Sequence, residues 1–552
     1  MKAQSAGSRR LSMLLSIVIV FGLLMACSKE EKNNTGAATP SASSANGESQ
    51  SPAQPSDDPA GVYPVSTTET ITSWEEVNDN LITFYSNLAD TPFGKQLEQE
   101  TGIKVKYTHP ASGQRKEQFN LMIASNNLTD TIEIDWTVEY PGGPEKAIND
   151  KVIVPLNDLI DQHAPNLKKL LQDNPELDRM MKTDNGTYYV FPMIRPANAL
   201  VFRGPIIRKD WLDELNLEVP TTIDEWYAVL QAFKEHKGAT APFTAMYNNE
   251  TNLQDAFIGA FRTANRHYID DNGKVQYGPI DPQFKDALAL LRKWYEEGLF
   301  DKDFALNTDT KALDAKMLSG QSGATVHLIS GGLGRWMESG KKSDEKFHLV
   351  PAPYPTLNKG ETAFIGQRSF EFNPSASKGI TAAAKNPELV AKWLDYAYSE
   401  PGARLFNFGV EGESYTMADG KPVFTDKILK DPQYSVQQMI SQYTKPNGPF
   451  LGDPRKSLNT YPEMDEAAVV WAKTDAAKHL LPGFLTPTVE ESQEVAKILT
   501  AVTSYKEEMF MKFVMGKEPL DRFDSYVEQI RSMGIDRVTE IYQAALERYN
   551  NR

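Results

Sequence analysis

A short apolar segment near the start of the chain, ending at its only cysteine, constrains everything that follows. The segment runs from Leu11 to Met25, and three basic residues precede it. A helix needs about 20 apolar residues to cross a membrane core, so this run is too short. A basic start, a short apolar run and a small residue before a cleavage point are the features of an export signal. Because Cys27 is the only cysteine, the exported body must fold without a disulfide.

The residues Leu24-Met25-Ala26-Cys27 resemble the lipobox at which bacterial lipoproteins are cleaved. The resemblance implies a signal peptide over residues 1–26 and a diacylglyceryl-modified Cys27 at the mature N-terminus. The mature chain would then be anchored by lipid on the outer, extracellular face of the cell membrane. An uncleaved signal anchor with an incidental cysteine is the alternative, but the order of apolar run, small residue and cysteine favours the lipobox.

The next segment, residues 27–66, has no hydrophobic pattern. Ser, Ala, Asn, Thr, Gly, Gln and Pro dominate it. Such a composition cannot bury enough apolar surface to offset the entropy lost on ordering. We therefore expect a flexible tether with a reach of roughly 35 Å.

The body from residue 67 onward has the composition of an exported globular protein without further membrane spans. The whole chain is 40% hydrophobic and 24% charged, with a formal net charge of −16. Its length favours two lobes over a single core. Because the net charge is negative, the overall electrostatic field of the protein does not attract nucleic acid or an anionic membrane surface. A monomer is expected.

Strand-like and helix-like segments alternate in the first part of the body. This alternation predicts an α/β lobe with a largely parallel sheet, and ligands bind such sheets beyond the carboxyl ends of the strands. The loops at residues 85–87 and 136–140 are predicted to lie there. The predicted strands are Leu81–Tyr85, Ile103–Tyr107 and Thr131–Trp136, and the predicted helices between them are Pro92–Thr101 and Gln114–Ser125.

Later helices are marked by their ends. Thr222 and Glu225 form a capping box, and Gly238 predicts where that helix ends. Asp281-Pro282 predicts the start of another helix. From Thr488 almost to the last residue the pattern is helical.

The sequence contains no pattern typical of an enzyme. It has no His-Glu-x-x-His, no P-loop and no nucleophile elbow, so zinc, nucleotide and serine-nucleophile sites lack support. A glycosidase pair of carboxylates is defined by distance in space, which a sequence does not show. We predict no enzyme activity, no cofactor and no metal.

Several loops instead combine aromatic rings with charged or amide side chains. Sugars are bound in this way, with a ring against the C–H face and planar polar groups on the hydroxyls. Trp136 and Trp336 are the predicted stacking platforms, and for any one of these rings the alternative is a hydrophobic anchor beneath its loop. The predicted hydroxyl-binding residues are Asp135, Arg203, Arg368 and Glu411, supported by Tyr247 and Tyr415.

Four segments carry a resemblance to a known family. They are residues 140–148 (YPGGPEKAI), 204–212 (GPIIRKDWL), 407–412 (NFGVEG) and 544–550 (AALERYN). They resemble the lipoprotein members of the family 1 extracellular solute-binding proteins of Paenibacillus- and Bacillus-like bacteria, and the resemblance covers essentially the whole chain after the lipobox. It implies an α/β, two-lobed periplasmic-binding-protein fold (type 2-like), hinge-linked, with a helical C-terminal region. It also implies a carbohydrate ligand, often an oligosaccharide, delivered to the transmembrane subunits of an ABC importer.

The predicted domain boundaries follow from this fold. Residues 67–200 and 323–385 are assigned to lobe 1, and residues 201–322 and 386–552 to lobe 2.

Two other functions would share the location outside the cell and the loops with aromatic and charged side chains. One is a lipid-anchored glycan-degrading enzyme, which would turn over an oligosaccharide. The other is a lipoprotein without a transport role that senses a ligand or binds peptides.

Overall fold

Two hydrophobic cores, each built on its own sheet, organise the part of the chain that the computed structural model describes. That part comprises residues 60–246, 256–307, 309–456 and 460–552, and all of it belongs to one unit, residues 53–552. The predicted signal, Cys27, most of the predicted tether and Tyr247 lie outside the described residues.

The first sheet has six strands in the order β13-β4-β10-β3-β1-β2. β1 runs parallel to β2 and β3, while β10 is antiparallel to β3 and β4. The sheet is therefore mixed, with one reversed strand in its middle. The strands are β1 (Thr70–Trp74), β2 (Lys104–Thr108), β3 (Thr131–Glu133), β4 (Phe191–Ile194), β10 (Phe372–Ile380) and β13 (Phe450–Leu451).

The second sheet is antiparallel, with β5 between β8 and β9. Two hairpins, β6–β7 and β11–β12, stand apart from both sheets. The strands are β5 (Arg203–Arg208), β6 (His267–Ile269), β7 (Val275–Tyr277), β8 (Ala324–Leu328), β9 (Leu349–Pro351), β11 (Tyr415–Ala418) and β12 (Lys421–Phe424).

Helices surround both sheets. Those before residue 350 are Asp79–Ile82, Pro92–Thr101, Arg115–Ser125, Gly143–Asn149, Asn157–His163, Pro165–Asp173, Pro175–Met180, Lys209–Glu214, Ile223–Lys237, Pro282–Glu296, Thr310–Ser319 and Arg335–Ser343. Those after it are Pro387–Asp395, Glu400–Phe408, Asp426–Leu429, Val436–Ser441, Pro462–Trp471, Ala476–His479, Val489–Val514, Phe523–Ser532 and Ile535–Asn550. Within the described ranges, none of the helices combines the length and the apolar composition that a membrane span requires.

Helix ends agree with the predictions where a local motif specifies them. The Thr222 and Glu225 side chains form the predicted capping box, and Thr488 forms a second one. Gly238 ends its helix at φ 66°, a left-handed conformation that glycine adopts without strain.

The predicted strand Leu81–Tyr85 is wrong. Residues 79–82 form a short helix, because the side chain of Asn78 accepts a hydrogen bond from the Leu81 amide and caps that turn. The first strand is Thr70–Trp74, in which Ile71 and Trp74 are buried.

Strand pairing divides the chain differently from the predicted boundaries. Residues 323–385 are predicted to belong to lobe 1, but β8 and β9 pair with β5 of the second sheet. The chain rejoins the first sheet only at β10. Helices Pro387–Asp395 and Glu400–Phe408 then pack into the first core, although the prediction gave residues 386–552 to lobe 2. Periodicity identifies elements, but it does not identify the sheet that a returning strand joins.

The last helix, Ile535–Asn550, contributes to both cores. Val538 and Ile541 lie in the core of the second sheet, whereas Ala545 and Tyr549 lie in the core of the first. Its two halves therefore connect the two bodies.

Two buried histidines predict how stability depends on pH. Burial lowers the pKa of His267 from 6.5 to about 3, and burial with nearby Arg335 lowers that of His327 to about 4. Below pH 6.5 the unfolded chain binds protons that the folded chain does not, so stability falls as the pH drops. We expect each histidine to remove at least about 2 kcal/mol between neutral pH and pH 4. Denaturant unfolding over that pH range measures the loss.

A glutamine in place of His267 should flatten this dependence. The matched control is His236→Gln, whose side chain is exposed on helix Ile223–Lys237. Equal slopes for the wild-type chain and His267→Gln would contradict the assignment to His267.

Candidate functional site

A cavity of about 310 Å³ lies at the carboxyl ends of the parallel strands of the first sheet. The chain that leaves β1 forms one wall, and the segment after β2 together with the start of helix Arg115–Ser125 forms another. β3, β10 and the loop after helix Val436–Ser441 complete it. Its lining is mainly polar: Glu75, Glu76, Asn78, Asp79, Ser112, Arg115, Glu133, Ser375, Ser441, Thr444, Lys445 and Asn447, with Val77, Leu81, Leu88 and Pro446.

Four buried charges lie at and beneath the floor of this cavity. Glu75 and Lys378 are each 1% exposed, and Glu133 and Lys445 are each 8% exposed. Lys378 pairs with Glu75 and lies 3.5 Å from Glu133 Oε2. Lys445 Nζ lies 2.5 Å from Glu75 Oε1 and 3.2 Å from Glu133 Oε2. We call these four residues the charge cluster.

Mutual attraction keeps Glu75 and Lys445 ionised. Burial by itself would raise the pKa of Glu75, but Lys378 and then Lys445 outweigh it and hold that pKa well below its ordinary value. Burial would likewise lower the pKa of Lys445, yet Glu133 and Glu75 raise it above the ordinary range. Two acids and two bases therefore give a cluster whose formal charges cancel.

Local structure explains how these residues meet. Glu75 directly follows β1, and Glu133 is the last residue of β3. Lys378 stands opposite Glu133 in the β3–β10 ladder, so both side chains lie on the same face of the sheet. Gly448, at φ 129°, lets the loop fold over Lys445, because a Cβ there would lie 3.0 Å from Lys445 Nζ.

The rim of the cavity is exposed and carries further charges. Arg115 lies 2.8 Å from Glu139 and 3.5 Å from Glu76. Ser112 Oγ lies 3.4 Å from Asp79 Oδ1. Carboxylate acceptors and guanidinium and hydroxyl donors thus surround the opening.

A bulge in β10 brings Ser375 to the cavity. The register of β10 with β4 shifts between Asn373 and Lys378, and bulges of this kind redirect a side chain. Ser375 Oγ donates to Asp135 Oδ2 at 3.0 Å. Asp135, a predicted hydroxyl-binding residue, is largely buried and also accepts from the Thr137 amide at 3.0 Å. It lies behind the cavity and supports Ser375.

The burial of both predicted stacking platforms disagrees with that role. Trp136 is 0% exposed, with its ring 5.9 Å from that of Phe119 in the first core. Trp336 is also 0% exposed, belongs to the second core, and donates from Nε1 to Asp314 Oδ1 at 2.7 Å. Neither ring has a free face, because each fills core volume that an indole occupies well.

The other predicted site residues that the structure describes do not line the cavity, and Tyr247 lies outside the described residues. Arg203 begins β5, and its carbonyl accepts from the Tyr354 hydroxyl at 2.8 Å. Arg368 is half-buried in the segment before β10. Glu411 is exposed and lies 3.5 Å from the hydroxyl of the buried Tyr415, which packs in a small separate core. Among the described residues, the structure does not bring the predicted set into one site.

Sequence reasoning missed the charge cluster and Arg115. One signal is present, since Thr70–Trp74 is rich in residues that favour strands and directly precedes Glu75-Glu76, but the sequence pattern predicts the first strand at residues 81–85. A second signal was the acid between two isoleucines at Ile132-Glu133-Ile134. Among the residues that the structure describes, no group of three or more His, Cys, Asp or Glu could hold a metal ion.

Removing one base from the cluster should strongly destabilise the fold. Lys378→Met leaves Glu75 and Glu133 with Lys445 as their remaining partner in the cluster. Breaking a buried pair costs about 3–5 kcal/mol, because a charge is left uncompensated. We expect a loss of this size in the free energy of unfolding, measured with guanidinium chloride.

Lys512→Met is the matched control. Lys512 pairs with Glu508 at 2.6 Å on the surface of helix Val489–Val514, and exposed pairs of this kind contribute little to stability because water screens them. Equal losses for the two variants would contradict the structural role of the cluster.

Comparison with known proteins identifies the family. The chain is 29% identical over 337 residues to the fructooligosaccharide ABC transporter substrate-binding protein FusA of Streptococcus pneumoniae serotype 4, covering 58% of this chain and 60% of that one. It is 23% identical over 467 residues to the polygalacturonan/rhamnogalacturonan-binding protein YtcQ of Bacillus subtilis strain 168, covering 82% and 87%.

A solved structure gives the same answer for the fold. The alginate-binding protein AlgQ2, crystallised without calcium ion, is 28% identical with a TM-score of 0.68, covering 87% of this chain and 98% of that one. The predicted two-lobed α/β fold is thereby confirmed. Residues 85–404 match the family model described as bacterial extracellular solute-binding protein. The chain belongs to the bacterial extracellular solute-binding proteins.

Proposed function

We propose that this protein captures an oligosaccharide and delivers it to the transmembrane subunits of an ABC importer. The observation that carries the proposal is the polar cavity at the carboxyl ends of β1 and β3, where ligands of open α/β sheets bind. The names of two relatives, which refer to fructooligosaccharides and to polygalacturonan, support a carbohydrate.

The lining suits a molecule with many hydroxyl groups. A sugar hydroxyl both donates and accepts hydrogen bonds. Glu133 and Asp79 supply acceptors, Arg115 supplies donors, and Asn78 and Asn447 supply both. Hydrogen bonds to charged groups are stronger than those between neutral groups.

Delivery to an importer would use closure of the two lobes. The first lobe would comprise residues 65–194 and 372–451 on the first sheet, and the second lobe residues 203–354 and 462–541 on the second. A ligand that binds the first lobe and also contacts the second favours the closed state, which the importer would recognise.

We propose binding without catalysis. A glycosidase needs a carboxylic acid that is protonated near the working pH. Glu75 is instead held ionised by two lysines, which also pair with Glu133. This argues against a general acid at the cavity floor.

Lipid anchoring completes the proposal. Cys27 would carry the lipid after removal of residues 1–26, and residues 27–66 would tether a monomeric body to the outer face of the membrane. The lipobox and the polar composition of the tether support this arrangement.

Thermal unfolding of the full chain against a panel of oligosaccharides tests the proposed function. A ligand at 100 times its Kd stabilises the folded state by about 2.7 kcal/mol, which raises the unfolding midpoint. We expect a rise with one class of oligosaccharide and no consumption of that sugar. A rise only with the control peptides or amino acids would overturn the carbohydrate assignment, and turnover of the sugar would overturn binding without catalysis.

Removing Arg115 should weaken this ligand. Arg115→Ala deletes a charged donor at the rim, which contributes about 1.5–3 kcal/mol. We expect a Kd at least about tenfold higher by calorimetry. Arg522→Ala is the matched control, since Arg522 is exposed near helix Phe523–Ser532, outside the cavity lining. An unchanged Kd in Arg115→Ala would place the ligand elsewhere.

A further inference from the structure

The charges around the cavity limit the kind of sugar that it can take. Resting on the proposed function, we infer that the cavity selects an uncharged, hydroxyl-rich sugar unit and rejects a uronic acid unit. Two proteins similar to this chain have names that refer to the acidic glycans polygalacturonan and alginate. The inference therefore separates this chain from those relatives.

The bases of the floor are already neutralised. Lys378 Nζ pairs with Glu75, donates to Ser73 Oγ at 3.0 Å and lies 3.5 Å from Glu133 Oε2. Lys445 Nζ lies within 3.2 Å of both glutamates. Each lysine is balanced by a carboxylate, so a ligand carboxylate would find no unpaired cation there.

Glu133 presents an acceptor to the cavity. Its Oε2 atom is the one that lies near both lysines. Its Oε1 atom makes no hydrogen bond to any residue within the described ranges, although the side chain is nearly buried and lines the cavity. An ionised carboxylate accepts hydrogen bonds and cannot donate them. The ligand group at Oε1 must therefore be a donor, as a hydroxyl is and a carboxylate is not.

The rim adds negative charge. Glu76 and Asp79 line the opening, and the rim base Arg115 is already shared between Glu76 and Glu139. Within the described lining, Arg115 and Lys445 are the only bases, against the acids Glu75, Glu76, Asp79 and Glu133. A ligand carboxylate would meet like charges at a partly dehydrated site, where repulsion is stronger than in water.

A matched pair of sugars tests the selection. Each neutral gluco-, galacto-, manno- or fructo-oligosaccharide is titrated into the full chain beside its own C6-oxidised form. Oligogalacturonate and its carboxyl-reduced form make the reverse pair. We expect the oxidised member of a binding pair to bind at least about tenfold more weakly at roughly 20 mM salt, and the ratio to shrink at roughly 500 mM salt as charges are screened.

Variants connect the selection to named residues. Glu133→Gln should weaken binding of the neutral sugar and move the ratio of the affinities for the neutral and the oxidised sugar toward one. Since this change also disturbs the charge cluster, Glu76→Gln at the exposed rim is the second variant. It should increase the affinity for the oxidised sugar at low salt. Glu508→Gln, on helix Val489–Val514, removes the same charge at a distance and should leave the ratio unchanged.

The outcomes separate the two proposals. Charge selection is supported if the oxidised member binds more weakly than the neutral one and Glu76→Gln, but not Glu508→Gln, restores its affinity. Equal or tighter binding of the oxidised member, or of oligogalacturonate over its reduced form, overturns charge selection and leaves sugar binding intact. Binding of no sugar from either member of any pair overturns the proposed function together with this inference.

Discussion

The charge cluster is the interaction on which the candidate site depends. It joins segments that are far apart in the chain. Glu75 pairs with Lys378 and Lys445, which lie 303 and 370 positions further along the sequence. Removing such charges from water costs several kcal/mol for each ion, and mutual pairing compensates only when the geometry is good. Here each carboxylate faces both lysines, and Ser73 donates to Glu75 at 3.0 Å. Once formed, the cluster fixes the ends of β1, β3 and β10 relative to one another, and that arrangement forms the cavity floor.

The two cores explain why the cavity belongs to one sheet. β1, β2 and β3 run in the same direction, so their carboxyl ends and the loops that follow them meet at one edge. β10 enters antiparallel, which places Lys378 opposite Glu133. The second sheet forms its own core, and the last helix contributes to both. Tyr542 on that helix packs against both cores, and its ring lies 4.8 Å from that of His267.

Local motifs were predictable because neighbouring residues alone determine them. The capping boxes at Thr222 and Thr488 satisfy amides within one turn, so four residues specify each helix start. The first strand was misplaced because Leu81 and its neighbours have an apolar pattern that fits either structure, and the Asn78 cap decided for a helix. The predicted role of the two tryptophans disagrees with the structure for a different reason. An aromatic residue beside a charge looks the same in sequence whether its ring is exposed or buried, and both Trp136 and Trp336 are buried.

The sequence by itself determined the helix ends that local capping motifs specify, the α/β class and the family resemblance, and it predicts the export signal and the lipidated Cys27. These depend on short-range hydrogen bonding, on hydrophobic periodicity and on contiguous sequence segments, all of which can be read from a linear sequence. Only the tertiary structure decided which strands share a sheet, which rings are buried and which charges meet. Glu75, Glu133, Lys378 and Lys445 are ordinary charged residues in the sequence. They become a site because the fold brings each carboxylate within 3.5 Å of both lysines in water-poor surroundings. Burial and long-range pairing are properties of the folded chain as a whole, so no local pattern encodes them.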